Sequence, residues 1–329
     1  MEYKVFIFSK DVLDGQFKFD FNKFYKVCAY NMIDIQSFDI KDFVLDRPFI
    51  EKDKNLIVFC NNDNLDNLII RNIEHLGNKK TIVEEQIAVF NQNGYNIIFM
   101  PLESDLELLN KVFTKSQDKK YCEFHLFGLP QQQVINKLEQ LRQEIPGFKY
   151  KIIYDNLLCD LIICYNGQST LIDDNQVKIA TAFKQYVYSE NYMYLPEIIR
   201  KMLALRGKSL AICENITKGE LVNSLLESDE EFETNLKKVV FEKVDYIDNE
   251  TLYNKTMEFL KDAKSDIALV MSGRYKDGAL EFVFAIADTF EVHIFKNSFK
   301  ADKCACIEMA KNAVLFHLAK KLRQNDLSF

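Results

Sequence analysis

Hydrophobic positions along the chain follow two periods. Short continuous apolar runs predict buried strands, and longer segments with apolar residues every three or four positions predict helices. In the first third, strands are predicted at 3–8, 55–60 and 95–100, and helical segments at 17–30, 84–92 and 106–114, with a polar loop after residue 60. This alternation of strand and helix is typical of an α/β fold.

The same alternation continues through two further segments. The middle segment predicts strands at 121–127, 149–154 and 160–165 and helices at 131–143 and 176–189. The last predicts helices at 196–204, 218–226, 249–263 and 302–323, and strands at 208–213, 238–244, 267–271, 281–287 and 291–296. We therefore predict three units: an α/β domain at 1–120, a small α+β domain at 121–190 and a second α/β domain at 191–329.

Composition excludes several classes of protein. The net charge of −7 argues against a nucleic-acid partner, because a phosphate-backbone binder needs a basic face to displace counterions. No apolar run approaches the ~18–20 residues that cross a bilayer, and no signal-peptide pattern precedes the first strand, so we expect a cytoplasmic protein without a membrane partner. Eight cysteines without a CxxC pair predict reduced thiols, and four histidines without HxxxH spacing predict no metal site.

The candidate site is a turn between a buried strand and a helix. Residues 209–213, a strand-like run that is apolar from Leu210 onward, lead into the turn Glu214-Asn215-Ile216-Thr217-Lys218-Gly219, and a helical pattern follows. The N–H groups at a helix start favour an anion or a carboxamide. A purely structural alternative has Thr217 as the N-cap, with Glu220 completing a capping box.

Residues 203–219 resemble the opening of the C-terminal domain of the CinA family (competence/damage-inducible protein A), whose turn reads A-E-S-C-T-G-G after a strand. The resemblance continues at 238–241, at 267–273 and at 299–303. It implies a CinA-type α/β domain of the kind that deamidates nicotinamide mononucleotide.

The N-terminal part resembles the same family's molybdopterin-binding-like domain, which is associated with ADP-ribose pyrophosphatase activity. The matching segments are 5–16, 56–60 and 101–106, and 121–167 resembles the small linking domain. The family's glycine-rich loop is replaced by residues 61–67, where Asn and Asp are compatible with a loop. The resemblance implies a divalent cation only if this domain is active, and it implies a homodimer.

The catalytic residues of the family pattern are altered in this chain. Its serine nucleophile corresponds to Asn215, which does not form an acyl-enzyme, and the next two replaced positions are Ile216 and Lys218. The position of the family's catalytic lysine corresponds to about Ile247 in this chain, and Lys243 is a possible substitute at a shifted position. If activity remains, we expect Glu214, Thr217 and Lys243 to carry it.

The remaining predictions concern ligand binding. Asn215, Lys218 and Gly219 belong to the turn, and three further candidates are Gly273, Arg274 and Lys303. Gly273 is expected in a loop after the strand at 267–271. Arg274 or Lys276 could bind a phosphate, although a solvated loop is the simpler interpretation. In the resemblance, Lys303 takes the place of an arginine, whose charge it keeps without the bidentate geometry.

Three hypotheses follow from the sequence. The first is a catalytically degenerate CinA-like protein that retains its fold as a nucleotide-binding or interaction module. The second is an active hydrolase of nicotinamide mononucleotide, or of another amide or nucleotide, with altered residues. The third is a protein whose role is to assemble with a second copy or with an intact family member.

Overall fold

The computed structural model describes residues 2–9, 12, 17–41, 54–71, 79–83, 87–92, 94–113, 119–145, 147–166, 169–190, 193–226, 235–242 and 248–324. The chain divides into two compact units. The first comprises Met1–Cys122, Glu144–Ile153 and Leu161–Asn175, and the second comprises Glu123–Gln143, Tyr154–Asp160 and Gln176–Phe329. The division into domains at 1–120, 121–190 and 191–329 stays a prediction.

The described helices are α1 (Phe21–Tyr30), α2 (Asn62–Arg71), α3 (Leu109–Phe113), α4 (Gln131–Glu144), α5 (Ser169–Phe183), α6 (Leu195–Leu205), α7 (Glu220–Leu226), α8 (Asn249–Ala263) and α9 (Lys303–Gln324). The strands are β1 (Glu2–Phe8), β2 (Asp34–Lys41), β3 (Asn55–Cys60), β4 (Lys79–Val83), β5 (Ile87–Gln92), β6 (Tyr95–Pro101), β7 (Lys119–Phe127), β8 (Phe148–Asp155), β9 (Leu158–Asn166), β10 (Val187–Ser189), β11 (Leu210–Glu214), β12 (Leu236–Phe241), β13 (Ile267–Lys276), β14 (Ala279–Ala287) and β15 (Val292–Lys300).

The first sheet has the order β2-β1-β3-β6-β5-β4. Strands β2, β1, β3 and β6 are parallel, whereas β4, β5 and β6 pair antiparallel. Strand β3 is buried from Leu56 onward because it lies between two neighbours in the middle of this sheet. Alternate side chains of β1 enter two different apolar clusters, as the two-residue period of a strand requires.

Two sequence predictions in this sheet are wrong. Residues 62–71 form helix α2 rather than a loop, and the segment 84–92, predicted as a helix, contains strand β5 instead. The sequence does not predict this helix because residues 61–67 are mostly polar. Among its described side chains, Leu68 and Ile69 near its C-terminal end are buried. Strand β5 follows the geometry of its hairpin partner β6, so pairing overrides its local pattern.

The second sheet has the order β10-β7-β9-β8. The predicted helix at 176–189 is shifted: α5 ends at Phe183, and Val187–Ser189 is the short strand β10, which pairs antiparallel with β7. The other helix and strands of this segment agree with prediction to within two residues.

The third sheet, β12-β11-β13-β14-β15, positions the candidate site. Strands β12, β11 and β13 are parallel, and β13, β14 and β15 continue the sheet antiparallel. Leu210 and Ile212 of β11 belong to a large apolar cluster that also includes residues of α6, α7 and α9, whereas Cys213 faces a cluster that includes Leu252 of α8. The expected mixed α/β class is therefore confirmed.

None of the helices in the described ranges is long and apolar enough to cross a membrane.

Candidate functional site

The candidate turn follows the carboxyl end of β11, which lies between β12 and β13 in the parallel part of the third sheet. Glu214 is the last residue of β11, and its carbonyl oxygen accepts a hydrogen bond from the Glu242 N–H at 3.0 Å, which extends the pairing with β12. Helix α7 begins at Glu220 and is only seven residues long. The turn is therefore held between a central strand and a short helix.

Glu214 and Thr217 form a buried pair inside the turn. Both side chains are 0% exposed, and the Thr217 hydroxyl donates a hydrogen bond to Glu214 Oε2. The Thr217 hydroxyl also lies 3.9 Å from the sulfur of Met271 on β13. Helix α7 begins at Glu220, so Thr217 lies three residues before its first residue and is not its N-cap. The structural alternative of a capping box between Thr217 and Glu220 is therefore wrong.

The environment of Glu214 favours its protonated form. Burial raises the pKa of this carboxyl to about 7, an effect that the nearby charge of Glu220 reinforces. The N–H groups of Val222 and Gly219 lower the pKa in part because they hydrogen-bond to the ionised form.

Ile216 packs against Gly273 in the middle of β13. A Cβ atom placed on Gly273 would lie 2.6 Å from Ile216 Cδ1, 2.6 Å from the Glu281 carbonyl oxygen and 2.6 Å from Phe282 Cβ. Gly273 is paired with Phe282 within the β13–β14 ladder and forms no turn, so its predicted place in a loop is wrong. The loop predicted at 272–278 is instead the end of β13 and a tight hairpin at Asp277-Gly278, which both have positive φ.

Lys218 and Gly219 complete the turn with left-handed backbone. Lys218 has φ +52° and Gly219 has φ +95°. Lys218 is exposed, so its long side chain does not fill the turn, while Gly219 is buried. A left-handed conformation at 218 strains an L-residue with a Cβ, which is the physical reason a glycine suits this position better than lysine.

Replacing Lys218 by glycine is expected to raise the free energy of unfolding by about 1 kcal/mol, because glycine adopts positive φ without steric strain. Urea unfolding measures the change. The control is Lys261→Gly at an exposed position in the last turn of α8, where glycine is expected to cost about 1 kcal/mol. A loss of stability in Lys218→Gly would contradict the strain.

The other predicted residues are spread over the unit. Asn215 is half-buried just after Glu214, whereas Lys243 lies outside the described residues. Arg274 follows Gly273 and therefore points to the opposite face of β13 from Ile216; its guanidinium lies 3.3 Å from Glu281 across the hairpin. Lys303 is exposed at the start of α9 and makes no ion pair with any residue in the described ranges. Arg274 is thus not brought to the Glu214–Thr217 pair.

A second group of polar residues, missed by the sequence reasoning, lies on the other face of the same strand end. Lys255 of α8 forms an ion pair with Glu242, and burial, followed by the charge of Glu242, raises the pKa of the Cys213 thiol to about 11. Cys213 is therefore a neutral thiol. Lys255 could have been identified from the sequence because it follows the buried Leu252 by three residues, which places it on the sheet-facing side of α8.

An exposed aromatic ring lies beside the turn. Phe241 ends β12 and is 61% exposed, and its ring lies 3.6 Å from where a Cβ on Gly219 would be. An exposed ring of this kind offers a stacking face for a planar ligand.

A cavity of about 210 Å³ in the second unit involves none of the predicted site residues. Its lining residues are Ile286, His293, Phe295, His317, Lys320 and Lys321. Burial, with a smaller effect of Lys320, lowers the pKa of His317 to about 4, so its imidazole is neutral near pH 7. The ring of His317 packs 4.0 Å from that of Phe295.

No protein-family model matches the chain, and no curated protein matches it in sequence. Among solved structures, it is similar to a competence-damaged protein (CinA) superfamily protein from Klebsiella pneumoniae 700603, at 18% identity over 40% of this chain and 96% of that one, with a TM-score of 0.36. It is similar to another from Enterobacter cloacae, at 18% identity over 41% and 96% of the two chains and a TM-score of 0.36. A third is competence damage-inducible protein A from Klebsiella pneumoniae subsp. pneumoniae, at 20% identity over 39% and 95% and a TM-score of 0.33.

Proposed function

We propose that this chain is a CinA-like protein that has lost catalysis and retains its C-terminal α/β unit as a nucleotide-binding or interaction module. The observation that carries the proposal is the burial of Glu214 and Thr217. Glu214 supplies the carboxyl group of the turn and Thr217 its hydroxyl, and each residue is 0% exposed. A substrate must reach a nucleophile in order to be attacked, and this pair is closed to solvent.

The neighbouring positions support the same conclusion. Asn215 stands where the resemblance expects a serine, and an amide is not a nucleophile of that kind. Ile216 fills the space over Gly273 with an apolar side chain. The turn is thus stabilised by packing rather than left open for a reacting group.

The exposed groups around the turn define the ligand that we propose. Phe241 presents an exposed ring and Lys218 an exposed cation. The Phe241 ring lies close to Gly219 in space, and Lys218 precedes Gly219 in the sequence. A flat base and a phosphate are the two parts of a nucleotide that such groups bind. Asn215 adds hydrogen-bonding capacity, and we keep Arg274 and Lys303 as secondary phosphate candidates.

Isothermal titration of the full chain with nicotinamide mononucleotide and with ADP-ribose tests this function. We expect saturable binding of at least one of the two without turnover of either. Phe241→Ala is expected to weaken that binding about tenfold or more, because a base stacked on an aromatic ring contributes about 1–3 kcal/mol. Phe290→Ala is the matched control, since Phe290 is 94% exposed at a different position.

Two results would reject the proposal. Turnover of either nucleotide at an ordinary enzymatic rate would show that catalysis remains. Equal affinity of Phe241→Ala and Phe290→Ala for the bound nucleotide would place the ligand elsewhere.

The second candidate function is an active hydrolase with altered residues, and the observation that favours it is the pKa of Glu214. A carboxyl with a pKa of about 7, hydrogen-bonded to a hydroxyl, suits a general base at neutral pH. Lys243 would then be the shifted catalytic lysine. This candidate requires that turnover disappear in both Glu214→Gln and Thr217→Val while circular dichroism shows each variant folded.

Three broader expectations belong to the same proposal. The resemblance implies a homodimer and a place in NAD metabolism, and the sequence pattern leads us to expect a cytoplasmic protein. Light scattering that shows a monomer stable on dilution would remove the homodimer. A divalent cation is expected at the N-terminal domain only if that domain hydrolyses ADP-ribose.

A further inference from the structure

Three titratable side chains meet in the second sheet, well separated in sequence from the turn at 214–219. Glu123 and His125 are two residues apart on β7, so both side chains point to the same face, and Asp160 is on β9, the neighbouring strand. One ligand atom from each of the three lies within 4.8 Å of the others. The cluster lies entirely in the second compact unit.

His125 is oriented by Asp160. The two side chains approach with Nδ1 of His125 2.5 Å from Oδ1 of Asp160, and the imidazole is 0% exposed. A carboxylate on one ring nitrogen fixes the tautomer and leaves the other nitrogen with its lone pair available. Tyr188 stacks on the ring at 5.6 Å between centroids and Tyr194 lies at 5.9 Å, so the ring is held in place from two further sides.

The other ring nitrogen of His125 faces Glu123. Nε2 lies 3.5 Å from Glu123 Oε1, and Nε2 has no hydrogen-bond partner among the residues that the structure describes. A fully buried imidazole nitrogen without a hydrogen bond is costly, because it has lost its contact with water. Something other than the protein's own hydrogen bonds is needed to satisfy this atom.

The separation of these two atoms fits a metal ion. A histidine nitrogen about 2.0–2.1 Å and a carboxylate oxygen about 2.0–2.2 Å from a zinc ion, at a tetrahedral angle, lie roughly 3.3–3.5 Å apart. The 3.5 Å between Nε2 of His125 and Oε1 of Glu123 is at the upper end of this range. The Asp160 contact on the opposite nitrogen is the outer arrangement that commonly accompanies a metal-bound histidine.

The cluster is mostly buried, but one of its three side chains reaches the surface. The side chain of Asp160 is 19% exposed, which gives an ion a route into the cluster.

We propose that Glu123 and His125 bind a divalent transition-metal ion such as Zn²⁺, with Asp160 as the positioning residue for His125. This site is independent of the proposed nucleotide function. The sequence predicts no metal site because its four histidines show no paired spacing. Here a single histidine meets carboxylates from its own strand and from a neighbouring one.

Zinc titration of the untagged, chelator-treated full chain tests the proposal. The background carries Cys304→Ser, since Cys304 is the exposed thiol among the described residues and would compete for zinc. We expect one Zn²⁺ per chain and a higher Tm on binding, with no response to Mg²⁺, which disfavours imidazole ligands. Bound Co²⁺ is expected to show the intense visible absorption of a tetrahedral site.

Variants separate the ligands from the positioning residue. Glu123→Gln and His125→Gln are expected to weaken zinc binding at least 100-fold. Asp160→Asn is expected to keep one site but to weaken it about 10- to 100-fold. The control is His293→Gln, which removes a histidine from a half-exposed pair 2.8 Å from Glu291 and is expected to bind zinc as the parent does.

The proposal is overturned if the parent chain binds no zinc, or if folded Glu123→Gln binds it with unchanged affinity. Should His125→Gln fail to fold, Glu123→Gln and the Co²⁺ spectrum of the parent still decide. A weak spectrum of octahedral type from the folded parent would also overturn the assignment.

Discussion

Replacing Gly273 by alanine is expected to lower the free energy of unfolding by about 3 kcal/mol, the upper part of the range for overpacking a tight core. The new methyl group would lie 2.6 Å from three atoms, and one of them is the main-chain carbonyl oxygen of Glu281 on the paired strand. Backbone in a central ladder cannot move aside without disturbing the hydrogen bonds of β13 and β14. Urea unfolding followed by circular dichroism measures the loss.

The adjacent residue supplies the control. Arg274→Ala shortens an exposed side chain whose ion pair with Glu281 is worth about 0–1 kcal/mol, so it is expected to change stability by less than about 1 kcal/mol. In the double variant Ile216→Ala/Gly273→Ala, the costs should not add, because removing Ile216 Cδ1 relieves one of the three contacts. A Gly273→Ala variant as stable as Arg274→Ala would contradict the close approach of the turn to β13.

The wild type is expected to lose stability as the pH rises and Glu214 ionises, and replacing Glu214 by glutamine is expected to remove that loss. The pKa of this carboxyl is about 7 in the folded chain, above the ordinary value of 4.5, so the folded state holds the proton more tightly than the unfolded state does. The contribution of Glu214 to stability is therefore fully present below about pH 4.5 and is lost as the pH rises through 7. The size of the effect is about 3 kcal/mol, because each tenfold difference in proton affinity between the two states corresponds to about 1.4 kcal/mol.

The measurement is the difference in unfolding free energy between Glu214→Gln and the wild type from pH 4.5 to 8.5. This difference is expected to move in favour of the variant by about 3 kcal/mol across that range, because glutamine does not ionise. Glu258→Gln, the same chemical change at an exposed position of α8, is the control. A flat curve for Glu214→Gln would show that Glu214 is ionised at little cost in the folded protein.

The predictions for Gly273 and Glu214 together decide how the site is interpreted. Packing of Ile216 against Gly273 closes the turn, and a protonated Glu214 is favoured only while its side chain is shielded from water. If both predictions hold, the interior of the turn is a structural element, and a ligand has only the exposed groups around it to bind. If both fail, the turn is open and the hydrolase candidate gains support.

Several features were predictable from the sequence because they depend on neighbouring residues along the chain. Helix α8 begins and ends at the predicted residues, since Asp248 caps it and apolar residues recur along one face. The buried strands β3 and β11 were found from their continuous apolar runs. Helix α2 was missed because its composition is that of a loop, and β5 was missed because its conformation depends on pairing with β6.

By itself, the sequence determined the α/β class and the strand that leads into the turn, because composition and periodicity encode burial directly. Only the tertiary structure decided that Thr217 bonds to Glu214, that Gly273 lies in a ladder under Ile216, and that Glu123, His125 and Asp160 meet. The physical reason is that these contacts join residues through the sheet register, which brings distant positions within a few ångströms and is not written in local spacing.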